Sequence, residues 1–485
     1  MSPKDLQHFP LMVPGATSSA PDIIVHAPYD RKPIGSVAAA DAATIETALA
    51  TAYTLFRNRD QWLPATERIR ILAGTADAME QQAEHLAVEA AREGGKPLVD
   101  SRVEVARAID SLRICIETLR TEAGEVVPMR VNPASAQRIA FTQKEPIGVV
   151  VAVSAFNHPL NLIAHQVGPA IATGCPVIVK PAEATPLSCF RLVELLRQAG
   201  LPDAWCQPLV TEDHAVAQAL VTDPRVGFFS FIGSAKVGWM LRSKLAPGAR
   251  CALEHGGAAP VILAGDANLH DCTPLLAKGG FYHGGQVCVS VQRVFAERNI
   301  ANTFAAQLAA IGAKMTVGDP TSEDTDIGPL IRPGEVDRVE QWVSEAVAAG
   351  ATLVSGGKRI SDTCFAPTVL LDPSDDVKVS TQEVFGPVIC VYTVADIDEA
   401  LRRANSLPVA FQAAVFTARI DIALKCYSRL DASAVMVNDF TAFRVDWMPF
   451  AGLKHSGQGV GGIPHTMRDM WIEKLMVVRS VEIIP

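Results

Sequence analysis

IGVVVAVSAFNHPLN, residues 147–161, is an apolar run that stops at Asn157-His158-Pro159 and leads into a helical stretch at about 160–173. The run is continuous rather than alternating, which describes a strand buried on both faces, as in a parallel sheet. The same unit recurs three times. CPVIVKPA (175–182) precedes a helix begun by Ser188, AWCQPLV (204–210) precedes DHAVAQALV, and VGFFSFIG (226–233) precedes SAKVGWMLRSKLA. Strand and helix in this alternation specify a doubly wound parallel α/β sheet. Ligands of such sheets bind at the carboxyl ends of the strands.

Outward from this block, residues 61–122 read as helical, with apolar residues at three- and four-residue steps and a stop at Gly94-Gly95-Lys96-Pro97. Residues 125–144 carry short alternating runs around Asn132-Pro133, the pattern of a projecting β-hairpin. A second α/β stretch runs from about 258 to 450. The tail, MVVRSVEIIP, is a lone strand with no neighbour in sequence, and an exposed edge of this kind is often covered by another chain.

Composition limits the function classes. The chain has 485 residues, enough for two or three domains. With 43 basic and 52 acidic residues the net charge is −9, and no basic stripe is evident, which argues against a nucleic-acid partner. The longest apolar stretch falls far short of the ~20 residues that span a bilayer, and the first residues lack the apolar core of a signal peptide, so no membrane partner is expected. The 10 cysteines are scattered, without a C-x-x-C pair or zinc spacing. Most sit in apolar runs as small hydrophobes, which fits a reduced, cytoplasmic setting and no bound metal.

Five stretches could carry chemistry. In FIGSAKVG, Gly233 and Ser234 form either a plain strand-to-helix turn or a phosphate site at a helix start. Lys180 and Glu183 stand after another strand, either as exposed loop residues or as partners for ribose hydroxyls, where the carboxylate would favour NAD over NADP. Asn157 is either a turn former before proline or a donor to a developing oxyanion. Glu254 in LEHGG is either a solvent-facing carboxylate or a buried general base. In FYHGGQVCVSVQR, residues 281–293, Gly284 and Gly285 allow close backbone approach, and Cys288 is either a buried spacer or a nucleophile.

Together these stretches resemble the aldehyde dehydrogenase superfamily over nearly the whole chain. EPIGVVVAVSAFNHPLN, GCPVIVKPAEATPLS, FIGSAKVG, LEHGG, GGQVCVSVQR, DIGPLI, EVFGPV, VND and PFAGLKHSGQG stand in the family's order. The resemblance implies two doubly wound domains plus a small β oligomerisation domain. Residues 1–122 and 145–254 would form the NAD-binding domain, and 255–455 the catalytic domain. Residues 123–144 and 470–485 would supply the oligomerisation hairpin and strand, with a homodimer or homotetramer as the assembly. It implies Cys288 as nucleophile, Glu254 as base and Asn157 as oxyanion donor. Lys180 and Glu183 would hold the adenosine ribose, Gly233 and Ser234 the pyrophosphate, and Glu383 and Phe385 the nicotinamide ribose and ring. NAD is the expected cofactor, with NADP less favoured. A small-molecule aldehyde would be oxidised to its acid through a thioester.

Several positions depart from the family's usual pattern. Phe156 and His158 flank Asn157 in place of tryptophan and phenylalanine, His255 replaces leucine, and Ala451 replaces glycine. The Cys288 and Arg444 regions look most like the lactaldehyde, non-phosphorylating glyceraldehyde-phosphate and phosphonoacetaldehyde branch. Arg107, His158 and Arg444 would then hold an anionic aldehyde, with phosphonoacetaldehyde ahead of lactaldehyde, glyceraldehyde 3-phosphate or a semialdehyde. The presence of Glu254 disfavours a CoA-acylating relative, and the intact Cys288, Glu254 and Asn157 disfavour an inactive structural one.

Overall fold

The computed structural model describes residues 6–483. Its first large sheet has six strands, in the order Gly457–Gln458, Arg250–Glu254, Val226–Ile232, Val149–Val153, Val177–Lys180 and Cys206–Pro208. All are parallel except Gly457–Gln458, which returns from the far end of the chain and pairs antiparallel with Arg250–Glu254. The opening stretch supplies the central strand. Val149 and Val151 join the core on one face, and Val150 and Ala152 the core on the other. All four side chains are fully buried, worth ~1.5–3 kcal/mol for each valine. Strand order reverses between Val149–Val153 and Val226–Ile232, so the crevice for a ligand opens at their carboxyl ends, beside Asn157 and Gly233.

The helical region resolves into three helices, Ala65–Gln81, Ala83–Gly94 and Leu98–Thr121. The second ends on Gly95 in the left-handed region (φ 77°). The helix after Lys180 runs Leu187–Gln198 and is not capped by Ser188 as a sequence reading suggests. Buried Glu93, from the neighbouring helix, accepts the backbone N–H groups of Leu187 and Ser188, both at 2.8 Å, and the Ser188 hydroxyl.

The second large sheet has seven strands, in the order Thr352–Ser355, Thr368–Leu371, Val388–Val394, Val291–Glu297, Ala259–Leu263, Gln412–Phe416 and Ala434–Val437. Only the Thr352–Ser355 edge is antiparallel. A third sheet joins Val126–Val127, Arg138–Pro146 and Trp471–Arg479. The expected hairpin is thus present, and the C-terminal strand finds a partner far away in sequence. Trp471–Arg479 pairs antiparallel with Arg138–Pro146 over its full length. It begins before the MVVRSVEIIP tail and stops at Arg479, and residues 484–485 of that tail lie outside the described residues. An N-terminal sheet of Gln7–Phe9, Ile23–His26 and Pro33–Val37 had no counterpart in the sequence reading. No helix among the described residues is long and apolar enough to cross a membrane.

Candidate active site

One cavity of about 1020 Å³ lies between the two large sheets, and it is lined by all twelve residues to which the family resemblance gives a catalytic, cofactor or substrate role, though not by Gly284 or Gly285. The sheets contribute opposite ends. Glu254, Lys180 and Gly233 come from carboxyl ends of the first, while Cys288 precedes Val291–Glu297 and Glu383 precedes Val388–Val394, at the amino end of the second. The carboxyl-end rule therefore locates only half of this site.

Cys288 is set by a strained turn. His283, Gly284 and Gly285 have φ of 52°, 62° and 72°. Gly285 does not serve ligand approach, as its place in the sequence suggests. A Cβ there would overlap the backbone of Gly386, so the missing side chain brings the Cys288 turn against the Glu383–Phe385 loop. Gln286 pins the turn from the other side. Its side-chain amide donates to the carbonyls of His283 (3.1 Å) and Pro329 (3.2 Å), and its Oε1 accepts from Ile331 N–H at 3.0 Å. Asn157 Nδ2 donates to the Gln286 carbonyl at 2.8 Å, which ties Asn157 to the cysteine loop and leaves its second N–H free. Eight of the ten cysteines are fully buried; Cys251 and Cys288 are not, and of those two only Cys288 lines the cavity.

The electrostatics suit a resting thiol. Burial pushes the Cys288 thiol up to about 12, the carboxylates of Glu383 and Glu254 add to the rise, and Arg444 opposes it. Burial also raises Glu254, again opposed by Arg444. The Glu254 carboxylate stands against Gly461, where any Cβ would overlap it.

A nicotinamide dinucleotide has matching partners on the other side of the cavity. Glu383 Oε1 is buried without a hydrogen bond, and burial raises this carboxyl to about 8. It leans on Gly256, whose lack of a Cβ makes the room. Phe385, held at φ 46°, meets the Phe156 ring edge-on at 5.8 Å. The helix Ala235–Arg242 starts at Ser234 with no side-chain cap, so its first N–H groups are free to meet a phosphate. His255 Nδ1 bonds the Gly233 carbonyl at 2.9 Å and fixes that turn. Lys180 and Glu183 form an ion pair with each other at the cavity edge.

At the far end stand Arg107, Arg444 and two residues that sequence reading missed, His165 and Asp446. Arg107 makes a two-pronged contact with Asp446, Nε to Oδ2 at 3.0 Å and Nη2 to Oδ1 at 2.6 Å. His165 Nε2 meets Asp446 Oδ1 at 2.7 Å. Burial alone would raise Asp446, but the bonds from His165 and Arg107 hold its carboxyl below the usual range. Arg444 lies 3.7 Å over the Phe450 ring and 3.8 Å from Asp446. Its Nη1 is buried without a partner. His158 is not a cation here. Burial, followed by the charge of Lys96, holds its ring well below its ordinary value, and Nδ1 contacts Lys96 Nζ at 2.6 Å.

Similarity to known proteins agrees with this geometry. The sequence pattern of the aldehyde dehydrogenase family matches residues 16–476. The chain belongs to that family. An aldehyde dehydrogenase oxidises aldehydes with a nicotinamide dinucleotide as hydride acceptor. This dehydrogenase is 38% identical to a 3-sulfolactaldehyde dehydrogenase of Priestia aryabhattai over 450 residues, 93% of each chain. Aldehyde dehydrogenase 21 of Physcomitrella patens, solved with the reaction product succinate, superposes with a TM-score of 0.94 at 32% identity, covering 98% of this chain and 99% of that one. A glyceraldehyde-3-phosphate dehydrogenase of Methanocaldococcus jannaschii, solved with NADP, superposes with a TM-score of 0.91 at 34% identity, covering 96% and 100%.

Proposed function

We propose that this enzyme converts a small aldehyde bearing one negative charge, with a hydroxyl beside the carbonyl, into its carboxylic acid, using NAD in preference to NADP. The observation that carries the charge assignment is Arg444. Asp446 accepts three hydrogen bonds from Arg107 and His165, and Arg444, which lines the cavity, retains a buried Nη1 without a partner. Within the Arg107–Asp446–Arg444 cluster, two guanidinium charges against one carboxylate leave a single positive charge, since burial lowers both His158 and His165. A sulfonate or carboxylate matches that charge. A phosphate or phosphonate dianion would leave excess negative charge beside Glu254, so phosphonoacetaldehyde falls behind the monoanions. The sulfolactaldehyde relative supports a sulfonate with a 2-hydroxyl, and the succinate complex supports a carboxylate.

In this mechanism Cys288 gives up its thiol proton to solvent, and its sulfur bonds to the aldehyde carbon. The carbonyl oxygen takes up the charge and is met by the free N–H of Asn157 and the backbone N–H of Cys288. When bound, the dinucleotide supplies a cationic ring that favours the thiolate and an acceptor for the hydride leaving that carbon. The carbon is then a thioester on Cys288. Glu254, its carboxyl raised by burial, takes a proton from water as the water attacks the thioester. The Cys288 sulfur leaves and the carboxylic acid departs. Glu183 at the ribose edge would repel a 2′-phosphate, which favours NAD.

Arg444→Met tests the charge assignment, because methionine keeps the packing over Phe450 and loses the cation. KM for a sulfonated or carboxylated aldehyde should rise about 10- to 100-fold, the worth of one charge-assisted contact, with KM for propanal nearly unchanged. Equal changes for both substrates would contradict a substrate-anion role.

A homo-oligomer, dimer or tetramer, is the second part of the proposal. Trp471–Arg479 forms the edge of its sheet, and Leu475, Met476, Val477 and Val478 are 38–53% exposed along it. Light scattering should give two or four times the chain mass of 51.7 kDa. A mass of one chain would overturn it.

A further inference from the structure

His158 and its buried neighbours have no part in the thioester chemistry, yet they form a connected polar cluster beside it. Lys96 and Glu104 are both about 1% exposed and ion-paired. The other Glu104 oxygen accepts the backbone N–H groups of Leu160 and Asn161, at 2.9 and 3.0 Å, and so holds the turn that carries Asn157 and His158. Lys96 also reaches His158 Nδ1 at 2.6 Å. Burial lowers Lys96, but the Glu104 carboxylate against it opposes that shift and favours the ammonium form, which can only donate. His158 Nδ1 must therefore accept, which places the ring proton on Nε2. That Nε2 has no hydrogen-bond partner within the described residues, and the ring lines the active-site cavity with 16% of the side chain exposed.

The ring's position indicates what the free N–H meets. His158 follows Asn157 directly, and Asn157 holds the carbonyl end. The His158 ring shares the cavity lining with Arg107 and Arg444, the groups assigned to the anionic end. It therefore faces the middle of a short substrate. We infer that His158 is a neutral hydrogen-bond donor to the oxygen on the carbon next to the reacting carbonyl. Lys96 is the positioning residue that fixes the proton on Nε2. The inference rests on the 2-hydroxyaldehyde reading above and names the residue that reads the hydroxyl. It replaces the role expected from the sequence, that of a basic group for the anion.

Two measurements test it, and neither depends on the substrate's charge. Lactaldehyde and propanal differ only in the 2-hydroxyl. The wild-type enzyme should favour lactaldehyde in kcat/KM by about five- to tenfold, the worth of one neutral hydrogen bond. His158→Phe should erase that preference, and His158→Gln, which keeps a donor, should restore part of it. A wild type indifferent to the hydroxyl, or a preference untouched in His158→Phe, would overturn the inference. The second measurement is a two-bond 1H–15N spectrum of histidine-labelled enzyme, with His158 assigned by the signals lost in His158→Phe. The Nε2–H tautomer is expected; an Nδ1–H tautomer or an imidazolium would overturn the Lys96 assignment. If no anionic aldehyde is oxidised, the substrate reading fails while both of these readouts still stand.

Discussion

Cys288→Ala should lower kcat for NADH formation by at least ~10⁴-fold across an aldehyde panel, because the covalent route disappears and only binding and the oxyanion donors remain. The fold should survive, since the turn is held by backbone and Gln286 contacts rather than by the thiol. Near-UV circular dichroism of the variant checks this. Cys251→Ala is the control, because Cys251 lies outside the active-site cavity and should leave the rate unchanged. Undiminished NADH formation by Cys288→Ala would remove the nucleophile from the mechanism.

The second large effect is expected at Glu254. Glu254→Gln keeps the shape and removes the base, so steady-state turnover should fall about 10²- to 10⁴-fold. Hydride transfer precedes the step that needs this base. A single turnover should therefore still release NADH in an amount near that of the enzyme, followed by a slow phase. Intact-mass spectra of quenched enzyme should show an acyl group on Cys288. Slow turnover without an accumulated acyl adduct would place Glu254 elsewhere in the reaction. The wild type should also lose activity as pH falls through the raised Glu254 value, since the base works only when deprotonated.

Local signals in the sequence placed much of this site, and the long-range partners escaped it. The apolar run 147–156 and its repeats specify the first sheet because strands buried on both faces need apolar residues throughout. Asn157, Gly233 and Glu254 follow from where those strands end. The Cys288 side was different. Its sheet presents the amino ends of its strands, and Gly285 faces Gly386, a contact across about a hundred residues. The same limit applies to charge. Arg107 and Arg444 are legible as cations, but Asp446, which neutralises one of them, lies 339 residues from Arg107. His158 is legible as a departure from the family pattern. Its neutrality depends on Lys96, which sits 62 residues away at the end of a helix stop. Glu93 capping the Leu187–Gln198 helix belongs to the same class of non-local contact.

The charge of the aldehyde is the property on which this site should discriminate most sharply. The deciding measurement is kcat/KM for NAD reduction with 3-sulfolactaldehyde, succinic semialdehyde, glyceraldehyde 3-phosphate, phosphonoacetaldehyde and lactaldehyde under one buffer condition. The single free positive charge at Arg444 predicts that the monoanions lead, with 3-sulfolactaldehyde first for its 2-hydroxyl, at least about tenfold above the neutral and phosphorylated compounds. A lead for lactaldehyde or for either phosphorus compound would contradict it.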